Sequence, residues 1–285
     1  MATSERKRYL LSGEAVAVGP GTVRRDADGF YWLVGEPTPQ SMRHPLYGDV
    51  AVVHVRGSLE HHLTAGADSY EGILDKLEKA KAGLDGDEPK EPPSAVIQCI
   101  DSRGGVVAGL NQSVATMQRM FPRTGIPLIS YINEMAASAA YAWACGGHEI
   151  IGPESMIGGS IGTISTMFSV AKQDEMMGVD VRLLTSGARK SDGHPHAAIS
   201  DAAEAAELDR VEDLAISFMK LVSAARGIPV QKIEKMQAGI FLGPKAKAAG
   251  LVDSLLSLDD VARALSRQRS GIQAKGNETT RRAGA

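Results

Sequence analysis

Ser160 lies in the sequence Gly-Gly-Ser-Ile-Gly at 158–162, which fits the G-x-S-x-G pattern of a serine nucleophile. That pattern works when a strand leads directly into the serine and a helix directly follows it. Here Pro153 and Glu154 stand upstream, and the β-branched stretch 161–164 follows. The context therefore argues against Ser160 as a nucleophile.

Ser169 and Lys172 have the S-x-x-K spacing that pairs a serine nucleophile with a lysine in penicillin-binding enzymes. The S-D-N and K-T-G motifs that accompany this pair in those enzymes are absent from the sequence. We therefore expect Lys172 to lie on the exposed face of a helix rather than in an active site.

Ser138 follows an apolar strand predicted at 127–133 and lies in the first turns of a small-residue helix predicted at 134–147. Open α/β sheets bind their ligands at the carboxyl ends of the strands, where this hydroxyl would stand. Gly104 and Gly105 follow another predicted strand and can aim backbone amides into a cleft, as an oxyanion hole requires. Taken alone, Ser138 fits helix packing better than catalysis, and the glycines fit a tight turn equally well.

A serine nucleophile needs a base. No sequence neighbourhood singles out any of the seven histidines, which are His44, His54, His61, His62, His148, His194 and His196. A lysine can replace histidine when desolvation populates its neutral amine. Lys190, just after a strand predicted at 179–187, is the candidate, although its segment also fits a solvated loop.

The elements that would position these residues alternate between strand and helix, which predicts an α/β domain with a largely parallel sheet and flanking helices. The strands are predicted at 49–56, 95–101, 127–133, 148–152 and 179–187, and the helices at 70–82, 106–120, 134–147 and 201–226. Three regions follow: a peripheral lead-in with one or two short strands at 1–45, the α/β domain at 46–265, and a basic, disordered tail at 266–285.

Charge and composition limit the function classes. Lys and Arg number 31 against 34 Asp and Glu, a net charge of −3, which excludes a basic nucleic-acid coat and an acidic disordered chain. Cys99 and Cys145 are too few for a disulfide framework, so a reducing compartment is expected. No apolar run reaches the roughly 18 residues of a membrane span, and the N-terminus makes a poor signal peptide. We expect a cytoplasmic protein without membrane anchor, cofactor, metal or nucleic acid.

Five segments, taken in order, resemble the Ser/Lys-dyad peptidases of the signal peptide peptidase A family, most nearly the tailed-phage capsid-assembly proteases of the protein C type. That family carries S-P-G-G, an M-A-A-S-G-G-like helix start, G-S-I-G-V, S-G-x-x-K-x-x-x-x-P and a late A-x-x-x-G-L-V-D. The corresponding segments are SRGG at 102–105, MAASAA at 135–140, GSIGT at 159–163, SGARKSDGHP at 186–195 and AKAAGLVD at 246–253. Arg103 replaces the usual proline, and Ala139 and Ala140 replace the usual glycines after the nucleophile.

The resemblance implies a fold like that of crotonase and of the caseinolytic protease subunit, in chains that assemble into homo-oligomeric rings. It implies a Ser138 nucleophile, a Lys190 base, an oxyanion hole from the amides of Ala139 and of Gly105 or Gly104, and a Ser160 that orients Lys190. The expected activity is a serine endopeptidase of phage head maturation that cleaves scaffold or portal proteins in the host cytoplasm or procapsid. A cytoplasmic signal-peptide-peptidase-like protease of a cell is the alternative.

Two rival functions remain open at this point. A crotonase-type acyl-CoA enzyme would use the same glycine amides, but it needs a carboxylate acid/base pair and has no use for Ser138 and Lys190. A catalytically inactive capsid scaffold protein needs neither side chain. Labelling of Ser138 by a fluorophosphonate would count against the first rival, and cleavage of a denatured scaffold protein would count against the second.

Overall fold

The computed structural model describes residues 7–11, 14–18, 22–25, 31–34, 49–62, 68–85, 88–89 and 91–267. In the lead-in, β1 (Lys7–Leu11) pairs antiparallel with β2 (Glu14–Val18), and β3 (Thr22–Arg25) with β4 (Tyr31–Val34). These four short strands exceed the one or two that the sequence predicts. Of the tail predicted to be disordered at 266–285, residues 266 and 267 belong to a helix, and 268–285 lie outside the described residues.

The remaining strands include those that form the main sheet. They are β5 (Val50–Glu60), β6 (Asp68–Ser69), β7 (Leu84–Asp85), β8 (Glu88–Pro89), β9 (Ala95–Gly105), β10 (Leu128–Ala137), β11 (Glu149–Gly152), β12 (Ile157–Gly159), β13 (Ile240–Leu242) and β14 (Ser254–Leu255). The helices are α1 (Tyr70–Ala82), α2 (Leu110–Met120), α3 (Ala139–Ala144), α4 (Ala171–Met176), α5 (Asp201–Arg226), α6 (Val230–Glu234), α7 (Gly243–Ala249) and α8 (258–267).

The main sheet has the order β13-β12-β10-β9-β5-β6, with β11 beside β10 and β14 beside β11. In the described part of the chain, every pairing in this sheet is parallel except that of β12 with β13. The short strands β7 and β8 form a separate antiparallel pair. The predicted α/β class, with a largely parallel sheet flanked by helices, is confirmed.

The central strands β5, β9 and β10 are apolar on both faces, as parallel strands covered on both sides must be. Because side chains alternate along a strand, neighbouring residues belong to different layers. Val53 and Val55 join the larger core with α1, α2 and α3, whereas Val50 and Val52 join a smaller core with α8. Across the described ranges, no helix combines the length and apolarity that crossing a bilayer requires.

The helices α1 and α5 are confirmed at their predicted bounds, because both termini carry clear capping residues. Each begins after a serine whose Oγ accepts the backbone N–H three residues on, and each ends at a glycine in the left-handed region. The serines are Ser69 and Ser200, and the glycines are Gly83 and Gly227.

Several predicted boundaries are wrong. The strand β5 continues past Gly57, whose φ of 72° accompanies a register shift against β9, and ends at Glu60. The helix α2 begins at Leu110 rather than at 106. The strand predicted at 179–187 is coil and turn, because no strand of the described chain pairs with it.

Candidate active site

Ser138 occupies a sharp turn between β10 and α3. Its φ of 53° and ψ of −127° lie in a region that residues other than glycine rarely adopt. Its N–H donates to Gly159 O over 2.9 Å, and its carbonyl accepts from the N–H of Tyr141 and of Ala142. This is the strand–turn–helix geometry of a nucleophile elbow.

The sequence predicts a helix that begins at Glu134 and contains Ser138, and that boundary is wrong. The strand β10 continues to Ala137, where it pairs with both β9 and β12. The G-x-S-x-G signal is missing because Ala136 and Ala140 stand where the two glycines would be. The small residues at both positions were the only feature of this motif that the sequence offered as a sign of a nucleophile turn.

Gly104 packs directly against this turn. It has a φ of 116°, and a Cβ at this position would lie 2.9 Å from Ser138 Cβ and 3.1 Å from Ala139 N. Glycine is therefore required both by the backbone conformation and by the space. The Gly104 N–H donates to the buried Ser102 Oγ over 3.1 Å, which fixes the end of β9.

Gly105 and Ala139 complete the backbone groups around Ser138. Gly105 pairs with Leu59 of β5, and a Cβ at Gly105 would overlap the Leu59 carbonyl. Ala139 is the first residue of α3, and the first amides of a helix have no carbonyl partner within that helix. The structure thus brings together Ser138, the glycine pair and the N-terminus of α3, which lies at Ala139 rather than at the predicted Glu134.

A buried hydrogen-bond network holds α3 against the sheet. Gln98 Oε1 accepts from Trp143 Nε1 over 2.8 Å, and Gln98 Nε2 donates to Ser130 Oγ over 2.7 Å. Ser130 Oγ donates in turn to Ala144 O over 2.6 Å. Within the described residues, no buried side-chain nitrogen or oxygen lacks a hydrogen-bond partner. The helix behind Ser138 is therefore fixed at both Trp143 and Ala144.

A mainly apolar pocket opens beside Ser138, between α2 and α5. Its apolar lining comes from Val107, Leu110, Ile164, Leu214 and Phe218. Asn111 Nδ2 donates to Ser217 Oγ over 2.9 Å and so joins the two helices at the pocket. Concave apolar sites with a few polar groups are typical ligand sites, and this one fits an apolar side chain.

Lys190 is exposed in the single chain. Its backbone N–H donates to Gly187 O over 3.0 Å in a turn, and every residue from 184 to 190 is exposed. Among the described residues, no hydrogen bond joins Lys190 to Ser138 or to Ser160. The burial that the sequence predicts for Lys190 is absent in the single chain, where Lys190 is exposed.

Ser160 and Lys172 lie where their sequence contexts place them. Ser160 follows the short strand β12 with a φ of 54°, but α4, the next helix, begins only at Ala171. The sequence did not predict the strand that precedes Ser160. It did predict that no helix directly follows Ser160, and the structure agrees. Lys172 is exposed on α4, as predicted.

Cys145 and the described histidines offer no competing arrangement at this turn. Burial raises the pKa of the Cys145 thiol to about 12, so its thiolate is not populated at neutral pH. His148 is bonded to backbone groups, with Nε2 2.8 Å from Phe121 O and Nδ1 accepting from Leu128 N over 3.2 Å. None of the described histidines hydrogen-bonds to Ser138, and His44 lies outside the described residues.

A surface group near the cleft has metal-ligand chemistry. The ligand atoms of His61, His62 and Glu71 lie within 4.8 Å of one another, and His62 Nδ1 is 3.1 Å from Glu71 Oε2. The two imidazole rings stack at 4.1 Å with an interplanar angle of 22°. His62 and Glu71 are exposed, and exposed acidic groups commonly hold no ion, so the cluster by itself assigns no metal site.

Comparison with known proteins gives a family and distant relatives. A model of peptidase family S49 matches residues 120–271, which is more than half of the 285-residue chain. The chain is 26% identical over 243 residues to Capsid assembly protease C of Escherichia phage lambda, covering 83% of this chain and 52% of that protein. It is 28% identical over 262 residues to Head-tail preconnector protein GP5 of Enterobacteria phage P21, covering 88% of this chain and 50% of that protein. The chain thus spans about half the length of these relatives.

Among solved structures, a mutant of the 1510-N membrane-bound stomatin-specific protease matches with a TM-score of 0.44 and 15% sequence identity. That match covers 74% of this chain and 82% of the other. The range matched by the family model contains Ser138, Ser160 and Lys190, and it begins after the glycine pair.

Proposed function

The chain belongs to peptidase family S49, and on that premise we propose that it is a serine endopeptidase with Ser138 as its nucleophile. Membership confirms the family recognised in the five ordered segments. The observation that carries the proposal is the left-handed turn at Ser138, which presents a hydroxyl between a strand and a helix opposite Gly104. Ser160 lacks the following helix, and Ser169 lies on the exposed segment before α4.

In the proposed reaction, Ser138 Oγ attacks the carbonyl carbon of a peptide bond while its proton passes to Lys190 Nζ. The backbone N–H of Ala139 and that of Gly105 hold the resulting oxyanion, where charge develops, because the Gly104 N–H is already bonded to Ser102 Oγ. Lys190 gives the proton to the leaving amine, and the peptide bond breaks to leave an acyl ester on Ser138. Lys190 then takes a proton from a water molecule, whose oxygen attacks the ester carbonyl, and returns that proton to Ser138 Oγ as the acyl product leaves. Ser160 is proposed to orient the lysine.

A lysine acts as a base only when desolvation populates its neutral amine. We therefore propose a homo-oligomer in which the segment 163–200 is covered. Large apolar side chains stand exposed along that segment, with Ile164 92% and Leu184 95% exposed. Apolar surface on this scale typically marks an interaction site. Assembly would both bury these side chains and desolvate Lys190.

We further propose that the substrates are phage capsid proteins such as a scaffold or portal protein. The support is that the matched relatives from phages lambda and P21 are a capsid assembly protease and a head-tail preconnector protein. The place of action would be the host cytoplasm or the procapsid interior. A protease of this family that serves a cell is the alternative. If scaffold or portal genes lie beside the gene for this chain, their products are the substrates to assay.

The test is cleavage of a peptide library and of denatured scaffold protein, together with fluorophosphonate labelling. Ser138→Ala should abolish both labelling and cleavage, and Lys190→Ala should abolish cleavage. Ser169→Ala and Lys172→Ala serve as matched controls, because they remove the rival S-x-x-K pair, and both should keep full activity. Normal cleavage by either Ser138→Ala or Lys190→Ala would refute the dyad.

A further inference from the structure

Tyr70, the first residue of α1, links the two backbone segments of the proposed oxyanion site. It is fully buried, and its hydroxyl donates to Val106 O over 2.7 Å, one residue beyond Gly105. Its ring stacks on Trp143, with centroids 5.4 Å apart and an interplanar angle of 14°. Trp143 belongs to α3, the helix that begins at Ala139.

Both ends of this link are fixed by further hydrogen bonds. Both backbone polar groups of Val106 are hydrogen-bonded. Its N–H donates to Leu59 O over 2.9 Å, and its carbonyl accepts from the Tyr70 hydroxyl. Trp143 is bonded through Nε1 to Gln98 over 2.8 Å. The end of β9 and the start of α3 therefore cannot change their separation without breaking a hydrogen bond or the ring contact at Tyr70.

The Tyr70 hydroxyl stays protonated across the working range. Burial raises the pKa of this phenol well above its ordinary value. The hydroxyl thus remains a hydrogen-bond donor to Val106 O at every pH at which a lysine acts as the base.

We propose that Tyr70 is a positioning residue of the active site, whose hydroxyl and ring set the spacing between the amide donors on Gly105 and on Ala139. This inference rests on the proposed function. Oxyanion donors act at the position that the charged oxygen reaches in the transition state. A small displacement of one donor therefore weakens transition-state binding and leaves ground-state binding of the peptide nearly unchanged.

The test compares Tyr70→Phe with Tyr131→Phe. The first variant removes only the hydroxyl on Val106, and we expect kcat to fall about tenfold, the equivalent of one hydrogen bond, with KM within about twofold. Tyr131 is also buried, and its hydroxyl donates to Leu256 O over 3.3 Å. Tyr131→Phe therefore removes a comparable buried tyrosine hydroxyl at a site away from Ser138. It should leave kcat unchanged.

A peptide aldehyde gives a second readout that a merely structural role would not change. The serine hydroxyl adds to the aldehyde carbon, and the resulting hemiacetal oxygen takes the place of the oxyanion. Tyr70→Phe should weaken aldehyde binding in parallel with kcat. Peptide affinity, measured on the Ser138→Ala background, should stay the same with or without the Tyr70 hydroxyl.

The outcomes separate the two proposals. If Ser138→Ala remains active, the proposed function fails whatever Tyr70 does. If Ser138→Ala is inactive while folded Tyr70→Phe keeps its full kcat and aldehyde affinity, only the positioning role is refuted. Should a thermal melt show that Tyr70→Phe does not fold, the comparison moves to Trp143→Phe. That variant keeps a stacking ring and loses the N–H bonded to Gln98, and it should show the same loss of kcat at unchanged KM.

Discussion

Gly104 and Ser138 are in such close contact that a Cβ on Gly104 would lie 2.9 Å from the Ser138 Cβ. We predict that Gly104→Ala lowers kcat/KM at least 100-fold, because the new methyl group displaces the elbow and a donor of the proposed oxyanion site. The φ of 116° adds strain, so the free energy of unfolding should fall by about 1–3 kcal/mol. Peptide cleavage and urea unfolding measure the two effects.

Gly125→Ala is the control for that variant. A Cβ at Gly125 would meet its nearest atom, Pro122 O, at 3.4 Å, an ordinary contact in a turn before β10. It should leave cleavage unchanged. Equal losses in both variants would mean that Gly104 has no special relation to Ser138.

Gln98→Leu should lower the free energy of unfolding by about 2–4 kcal/mol, because it leaves the buried Trp143 N–H without an acceptor and takes the Gln98 donor from Ser130. Urea unfolding at pH 7 measures the change. Gln112→Leu, on an exposed position of α2, should shift the same value by less than about 0.5 kcal/mol. A Gln98→Leu chain as stable as the original would contradict the role given to the network.

The pair Arg226–Asp253 predicts an acid-dependent loss of stability. Burial alone raises the pKa of Asp253, but the hydrogen bonds from Arg226 and from Ile150 N–H outweigh it, and the pKa lies below its ordinary value. A lowered folded-state pKa stabilises the fold above the unfolded pKa, and that stability is lost as the pH falls through the folded value. Asp253→Asn should therefore destabilise the chain at pH 7, and the difference from the original chain should shrink below about pH 4.

Unfolding curves at pH 7 and pH 3 measure that difference. A gap between the two chains that is equally large at pH 3 would show that the carboxylate charge of Asp253 is not responsible.

Leu184→Glu should reduce the mass of the proposed assembly, because it places a charge on a side chain that is 95% exposed in the single chain. Light scattering after size-exclusion chromatography gives the mass, and a thermal melt should show little change in a dissociated chain. Glu78→Lys, an exposed charge change on α1, should leave the mass unaltered. An unaltered mass for Leu184→Glu would place the interface elsewhere.

The elbow at Ser138 shows where the sequence was informative and where it was not. The types and order of the residues predicted which serine and which glycines meet, and the structure brings them together. The sequence could not predict that 134–137 extend a strand, because Glu, Met and Ala favour a helix by propensity. Pairing with β9 and β12 overrides that preference, and such pairing is a property of the folded sheet.

The strand predicted at 179–187 was wrong for the opposite reason, because there local propensity favoured a strand that the fold does not form. Its Val and Leu residues have strand propensity, but a strand also needs a neighbour for its backbone hydrogen bonds, and the described chain supplies none. The position of Lys190, which follows this segment, was therefore not predictable from local sequence.

The positive φ of Ser138 sets activity and stability against each other at a single residue. Only glycine adopts φ 53° and ψ −127° without strain, so presenting a hydroxyl there costs about 1–3 kcal/mol. A Ser138→Gly chain should be inert and yet melt at a higher temperature than the original. In a copy of the gene released from selection for activity, glycine is the substitution that selection for stability would favour at this position.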